Sequence, residues 1–294
     1  MERLIVNSPF KENEKVLKQM KANYAACPAA IKYIKSLNIP DDVVEKEIVT
    51  INDFVMDLNH CKHCPGVDKC DKETPRLCTK IVYTDGVVER QLVPCKEYLK
   101  YISFRNQFTV RDFPDEWLTS VLKKIDNSAP RAEAIKKYDD FLKGNSTDWI
   151  YLIGEEGTGR TYVAANIALD LAGKQKGPIA FVDVPTRFKE LAGKKDQAFT
   201  DLLAKYTDVP VLVLDDLGNE YKSEFVRETI LFPILNARSK AHLFTIITSD
   251  FKIDDLCLMY MNNQASKPKV EQIKRIIKKN AGDEINLGDL SIYK

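Results

Sequence analysis

A chain of 294 residues, 44% of them apolar, is long enough to bury a core and has room for one large domain plus a smaller one. Its glycine and proline content and its 30% of charged residues exclude a fibrous or wholly disordered protein. A formal net charge of +1 removes overall charge as an argument for nucleic-acid binding, although Lys-rich stretches occur near the C-terminus.

Met1 to Lys15 is polar and does not resemble a secretory signal, and the longest apolar runs, such as Val209 to Leu214, are short and strand-like. The expectation is a cytoplasmic protein without a membrane span. From about Glu12 to Leu58 the pattern predicts helices broken by turns. Pro40 followed by Asp41 and Asp42 is a good helix start.

Four of the seven cysteines follow, as Cys61-Lys62-His63-Cys64, Cys70 and Cys78, a C-x2-C-x5-C-x7-C spacing. In a reducing compartment this predicts a Zn2+ site rather than disulfides. His60, His63 and Cys95 compete for the fourth position. Four protein ligands leave no open coordination position, so the zinc is expected to be structural. Cys27 and Cys257 read as buried apolar thiols. Next, Lys80-Ile81-Val82-Tyr83 and Val87 to Val93 read as two strands around Thr84-Asp85-Gly86.

Pro114 to Lys143 is helical in pattern and strongly charged, and Gly144-Asn145-Ser146-Thr147 breaks it. A strand is then predicted at Trp149–Ile153, a helix at Thr161–Lys174, a strand at Pro178–Val184 and helices over Arg187–Tyr206. A strand at Val209–Leu214, a helix at Ser223–Ser239 and a strand at Leu243–Thr248 complete the series. Buried-type strands alternating with helices imply an α/β fold with a mostly parallel sheet covered on both faces. The division expected is 1–105 as a helical and zinc-binding domain, 106–143 as linker or lead-in helices, and 144–294 as a nucleotide-binding domain.

Gly154-Glu155-Glu156-Gly157-Thr158-Gly159-Arg160-Thr161 matches the phosphate-binding loop GxxxxGK[ST] except at the lysine, which is Arg160. Its glycines let the backbone wrap phosphate, and the helix start supplies N–H donors. Thr161 is expected on Mg2+. Arg160 keeps the positive charge but is planar and larger than an ammonium, and Glu155 and Glu156 add negative charge beside a polyphosphate. Val211-Leu212-Val213-Leu214 ends in Asp215, expected to organise Mg2+, and Asp216, expected to polarise an attacking water. The Leu243–Thr248 strand ends at Ser249-Asp250, where a polar residue senses a terminal phosphate; ionised Asp250 only accepts hydrogen bonds.

Together these residues resemble the primosomal helicase loaders of low-GC Gram-positive bacteria, the DnaI-type branch of the AAA+ ATPases, over nearly the whole chain. His60 to Cys70 with Leu92-Val93-Pro94-Cys95 resembles that family's zinc module. Leu214-Asp215-Asp216-Leu217-Gly218-Asn219-Glu220 resembles its Walker B segment, and Arg227 to Arg238 the helix that follows. Arg275-Ile276-Ile277-Lys278-Lys279 stands where the family carries Arg-Ile-x-Glu-Arg, so the resemblance makes Arg275 an arginine finger reaching ATP on a neighbouring subunit. The competing reading is a solvated basic face of Lys274, Arg275, Lys278 and Lys279. The family pattern has lysine at 160 and usually asparagine at 250. Its tail is typically arginine-bearing, whereas this chain ends Leu287-Gly288-Asp289-Leu290-Ser291-Ile292-Tyr293-Lys294.

The resemblance implies ATP, Mg2+ and Zn2+ as cofactors. It also implies a hexameric replicative DNA helicase as partner, single-stranded DNA as a further ligand, and self-association on helicase or DNA. Three functions follow: an ATP-dependent helicase loader, a helicase-binding adaptor with a degenerate ATP site, and a transposition-type AAA+ DNA regulator.

Overall fold

The computed structural model describes residues 9–119, 129–261 and 263–288. Of the predicted helical stretch Pro114–Lys143, residues 120–128 lie outside these, as do 289–294 of the C-terminal tail. The chain divides into two units, Met1–Tyr101 and Ile102–Lys294, each with its own interior.

The first unit holds four helices among the described residues: α1 (Pro9–Ala25), α2 (Pro28–Ser36), α3 (Asp41–Lys46) and α4 (Ile48–Cys61). α2 begins at a proline, which fixes φ and has no N–H to lose at a helix start. Pro40 caps α3, and Asp41 and Asp42 occupy its first turn, as the sequence predicts. An antiparallel hairpin follows, β1 (Leu77–Thr84) and β2 (Val87–Pro94), in register from Leu77↔Pro94 to Thr84↔Val87. Asp85 and Gly86 both adopt positive φ, +53° and +80°, the backbone of a two-residue turn that matches strand twist. Ala30, Ile34, Ile51, Phe54, Val55, Ile81 and Val88 form the interior, in which α4 backs the hairpin. Two strands alone are marginal in water, so this helical backing is what makes the hairpin viable.

The boundary between units falls within α5 (Lys96–Asn106), which leads to β3 (Phe108–Arg111), α6 (Glu116–Thr119) and α7 (Ala129–Leu142). Then come β4 (Ile150–Ile153), α8 (Arg160–Gly173), β5 (Ile179–Asp183), α9 (Val184–Ala192), α10 (Asp196–Thr207) and β6 (Val211–Asp215). α11 (Phe232–Lys240), β7 (Phe244–Ser249), α12 (Ile253–Met259), α13 (Lys267–Ala281) and β8 (Ile285–Asn286) complete the unit. Six strands pair in the order β3-β5-β6-β7-β4-β8, all parallel. β4, β6 and β7 are buried at every position, the signature of strands covered on both faces. The predicted mostly parallel α/β architecture is therefore present, with edge strands β3 and β8 added.

The helix predicted at Ser223–Ser239 departs from regularity. A π-helical turn at Val226–Leu231 precedes α11, whose second residue is Pro233. Proline has no N–H to give the carbonyl four residues back, and a wider turn accommodates that gap. Chain order and parallel pairing bring the C-terminal ends of β4, β6 and β7 to one rim of the sheet, where α/β proteins place ligands.

Candidate nucleotide site

The loop leaving β4 is shaped by its glycines. Gly154, Gly157 and Gly159 have φ of +156°, +82° and +87°. A Cβ on Gly154 would lie 2.7 Å from Thr158 Oγ1, so a side chain is excluded there. Thr158 closes the turn, its N–H and hydroxyl both donating to the Glu155 carbonyl. Gly159 ends the loop as the N-cap of α8 and offers no side chain to the first helical N–H groups. A 14-residue helix thus points uncapped donors at the loop, the arrangement that binds polyphosphate.

The cation that should face that phosphate is engaged elsewhere. Arg160 donates to the carbonyls of Gly154 at 2.6 Å and Ser249 at 2.7 Å, and it pairs with the Asp250 carboxylate. Its side chain is only 11% exposed. The two departures at 160 and 250 are therefore one ion pair, joining the phosphate loop to the tip of β7.

Asp215, at the end of β6, is buried and accepts from the Thr248 hydroxyl at 2.6 Å. Burial lifts its carboxyl to about 6, against hydrogen bonds from Thr248 and Thr161 that lower it. Thr161 and Asp215 are thus neighbours, a hydroxyl and a carboxylate of the kind a nucleotide-bound Mg2+ uses. Asp216 adopts φ +62°, which turns the chain sharply after the strand, and its N–H donates to Thr248 Oγ1 at 2.8 Å. The turn is anchored by Glu220, a buried carboxylate that accepts from the Gly218 N–H at 2.8 Å and from the Tyr260 hydroxyl.

Two residues given no site role by the sequence belong to this rim. Thr248 ties Asp215 to Asp216, and Asn219 donates to Asp216 Oδ1 at 2.8 Å and Asp250 Oδ2 at 2.6 Å. Thr248 carried a signal, a polar residue ending a buried strand; Asn219 stood only within the Walker B-like segment Leu214 to Glu220, with no role of its own. Glu155, Glu156 and Asp250 line one opening beside the loop, of about 560 Å³, with Lys252, Asp255 and Asn286.

Arg275 lies on the exposed face of α13, its Nε donating to the Glu271 carbonyl at 3.3 Å. Lys274 and Lys278 instead both pair with Asp254 of α12 at 3.0 Å. The basic run is therefore not one uniform solvated face, because two of its lysines hold α12.

In the first unit, Cys61 ends α4, Cys64 lies just past the turn that follows, Cys70 follows the short helical turn Val67–Lys69, and Cys78 is the second residue of β1. The Cys95 N–H donates to the Arg76 carbonyl at 2.9 Å at the foot of the hairpin. Burial raises the Cys61 and Cys78 thiols, and nearby Cys95 adds to both rises. Among the described residues, however, no three His, Cys, Asp or Glu side chains converge on a point that would hold a metal ion. Cys27 and Cys257 are buried, as expected. Among the same residues, no helix is long and apolar enough to cross a membrane.

Asp215 should oppose folding when metal is absent. Its folded pKa of about 6 exceeds the ordinary 3.8, so the native state holds the proton more tightly, and stability is lost as pH rises through that window. At neutral pH the cost is about 2–3 kcal/mol. Asp215→Asn keeps an oxygen for Thr248 and removes the charge. In chelator at pH 7.5 it should raise Tm by about 5 °C, while Mg2+-dependent nucleotide stabilisation disappears. Differential scanning fluorimetry decides it; a lowered Tm would mean the carboxylate is already compensated.

Residues 133–264 match the family of IstB-like ATP binding proteins. The replicative helicase loader DnaI of Bacillus subtilis (strain 168) is 24% identical over 277 residues, covering 90% of this chain and 89% of that protein. A crystal structure of DnaI superposes with a TM-score of 0.54 at 30% identity, over 64% of this chain and 98% of the other. A candidate primosome component from Streptococcus pyogenes serotype M3 shares the fold, with TM-score 0.53, 23% identity, and 64% and 97% coverage. The loop, the paired strand tips and these likenesses agree: the chain belongs to the DnaI family of AAA+ ATP-binding proteins.

Proposed function

We propose that this protein binds the replicative DNA helicase and assists its loading onto single-stranded DNA during replication initiation or restart. The observation that carries this reading is the alignment with a replicative helicase loader through both units rather than the ATP-binding unit alone. The first unit, residues 1–101, would grip the helicase hexamer. The second would bind ATP through Gly154–Thr161, with Asp215 and Thr161 on Mg2+, Asp216 orienting water, and Arg275 reaching a neighbouring copy. Bound ATP would favour assembly on helicase or DNA, and its loss would favour release. Co-purification with the host's replicative helicase, followed by helicase recruitment to a single-stranded circle, is the test. Failure to bind helicase, with binding to a transposase instead, would move the protein to the transposition-type regulators.

A second reading has specific support. With Arg160 committed to Asp250, the loop has Glu155, Glu156, Asp215 and Asp216 nearby and no unengaged cation of its own. That arrangement favours an adaptor that hydrolyses ATP weakly or not at all. Helicase recruitment without phosphate release would establish it.

Zinc in the first unit is part of the same proposal. Four soft thiolates suit the ion, and Cys95 directly follows Pro94, which pairs with Leu77 beside Cys78. We therefore assign Cys61, Cys64, Cys78 and Cys95 as its ligands, with Cys95 in place of Cys70. The ion would close the foot of the hairpin onto the end of α4 and serve folding only. Purified Cys70→Ser should keep one equivalent of zinc and Cys95→Ser should lose it, by elemental analysis. The opposite pattern restores the set Cys61, Cys64, Cys70 and Cys78.

A further inference from the structure

Phosphate oxygens on a nucleotide only accept hydrogen bonds, so a residue that reads the terminal phosphate must donate. Around the tips of β6 and β7 the side chains are mostly acceptors: Asp215, Asp216 and Asp250. Asp250 faces Arg160 with one oxygen and Asn219 with the other, and Asp216 faces Asn219. Asn219 is the exposed neutral donor among them, because the Thr248 and Ser249 hydroxyls are buried and donate to Asp215 and the Leu217 carbonyl. Both protons of its single amide nitrogen are spent on bridging two carboxylates, one from each strand tip.

The backbone around it is fixed while its own side chain is exposed. Gly218, at φ +104°, has no room for a Cβ, which would meet Phe251 at 2.7 Å and Leu256 at 2.8 Å. Glu220, on the other side, is buried and bonded to Gly218 and Tyr260. The Asn219 N–H closes the turn on the Asp216 carbonyl at 3.3 Å. An anchored turn therefore presents one carboxamide at the rim, four residues after the carboxylate assigned to Mg2+. Two adjacent acidic groups hold that carboxamide through hydrogen bonds that a more highly charged acceptor can replace.

Resting on the reading of this unit as an ATP-binding domain, we propose that Asn219 is the residue that senses the γ-phosphate. In the nucleotide-free state its amide bridges Asp216 and Asp250. With ATP, the amide leaves Asp250 and donates to a terminal phosphate oxygen, and Arg160 leaves the same carboxylate for the phosphates. Asp250 then serves as the resting partner of both donors and takes no part in recognition. Discrimination of ATP from ADP falls to Asn219, because ADP lacks the terminal phosphate that its amide would contact.

The test is a titration of the intact protein with fluorescent ATP and ADP analogues in Mg2+, for wild type, Asn219→Ala, Asn219→Gln and Asp250→Ala. Wild type should prefer ATP, and Asn219→Ala should lose at least tenfold of that preference with ADP affinity within twofold of wild type. Asn219→Gln, which keeps the amide, should recover part of it. Asp250→Ala should bind both nucleotides more tightly and keep the preference. An Asn219→Ala protein with the wild-type ATP-to-ADP ratio overturns the proposal, as does an Asp250→Ala protein that loses the ratio or a wild type with none. A wild type that binds neither nucleotide removes the ATP-binding reading and the proposal with it. Helicase co-purification, measured in parallel, stays at the wild-type level in every arm if the fault is confined to nucleotide sensing.

Discussion

Arg238→Met is expected to destabilise the ATP-binding unit by about 3–5 kcal/mol, a larger loss of stability than any other single substitution considered above. Arg238 is fully buried, yet its guanidinium is well satisfied. It donates to Thr245 Oγ1 at 2.9 Å and to the carbonyls of Tyr206 at 3.1 Å, Val209 at 2.7 Å and Phe244 at 2.7 Å. These carbonyls come from the end of α10, the approach to β6 and the start of β7, so one side chain pins three elements beneath the sheet. Burial pulls its pKa down to about 9, still above neutrality, and the group folds charged. Methionine fills much of the volume but leaves three buried carbonyls without donors, each worth about 1–3 kcal/mol. Chemical denaturation followed by tryptophan fluorescence reads the loss, since both Trp117 and Trp149 lie in this unit and Trp149 is buried and bonded to the Leu243 carbonyl. A change below about 1 kcal/mol would mean that water enters and satisfies the carbonyls instead.

Nothing in the sequence marks Arg238 as buried. It lies in the last turn of a helix, where a cation ordinarily faces solvent and the helix dipole. Strands such as Val211–Asp215 were legible for the opposite reason: a strand covered on both faces must be apolar throughout, and few other elements produce that run. The edge strands were not. β3 is four residues of mixed character and β8 only two, too short for any period to register. Val209 read as strand because it is apolar, but β6 begins at Val211, after Pro210, which has no N–H for the ladder. In the site, the loop and the Asp215-Asp216 pair were legible because their chemistry is local in sequence. The pairing of Arg160 with Asp250 was not, since ninety residues separate them (250 − 160) and each alone looks like a defect. Asn219 was hidden for the same reason, because its meaning comes from β7, which reaches the rim only through parallel pairing with β6.

The ion pair sets the second large effect. The double variant Arg160→Lys/Asp250→Asn should bind ATP in Mg2+ about 10–100-fold more tightly than wild type, equivalent to roughly 1.4–2.8 kcal/mol. Two unit charges 4 Å apart interact by about 4 kcal/mol at an effective dielectric constant of 20. Removing the Asp250 charge relieves only a solvent-screened part of such a repulsion, since that side chain is 35% exposed, and the cation no longer has to leave a carboxylate before it meets phosphate. The single variants should divide the effect unequally. Arg160→Lys alone keeps the carboxylate and still has it to pair with, so it gains little. Asp250→Asn alone leaves the guanidinium only its two neutral carbonyl partners and should account for most of the gain. Isothermal titration of all four proteins measures this, and tighter binding by Arg160→Lys alone would show that guanidinium shape, not its pairing, limits the loop. Phosphate release in the presence of helicase then separates the two functional readings. Turnover that appears only in the double variant identifies the natural protein as an adaptor held off hydrolysis by its own ion pair. Turnover already present in wild type means that ATP, Mg2+ and helicase together supply enough to open the pair, and makes Arg160–Asp250 a threshold that assembly has to overcome.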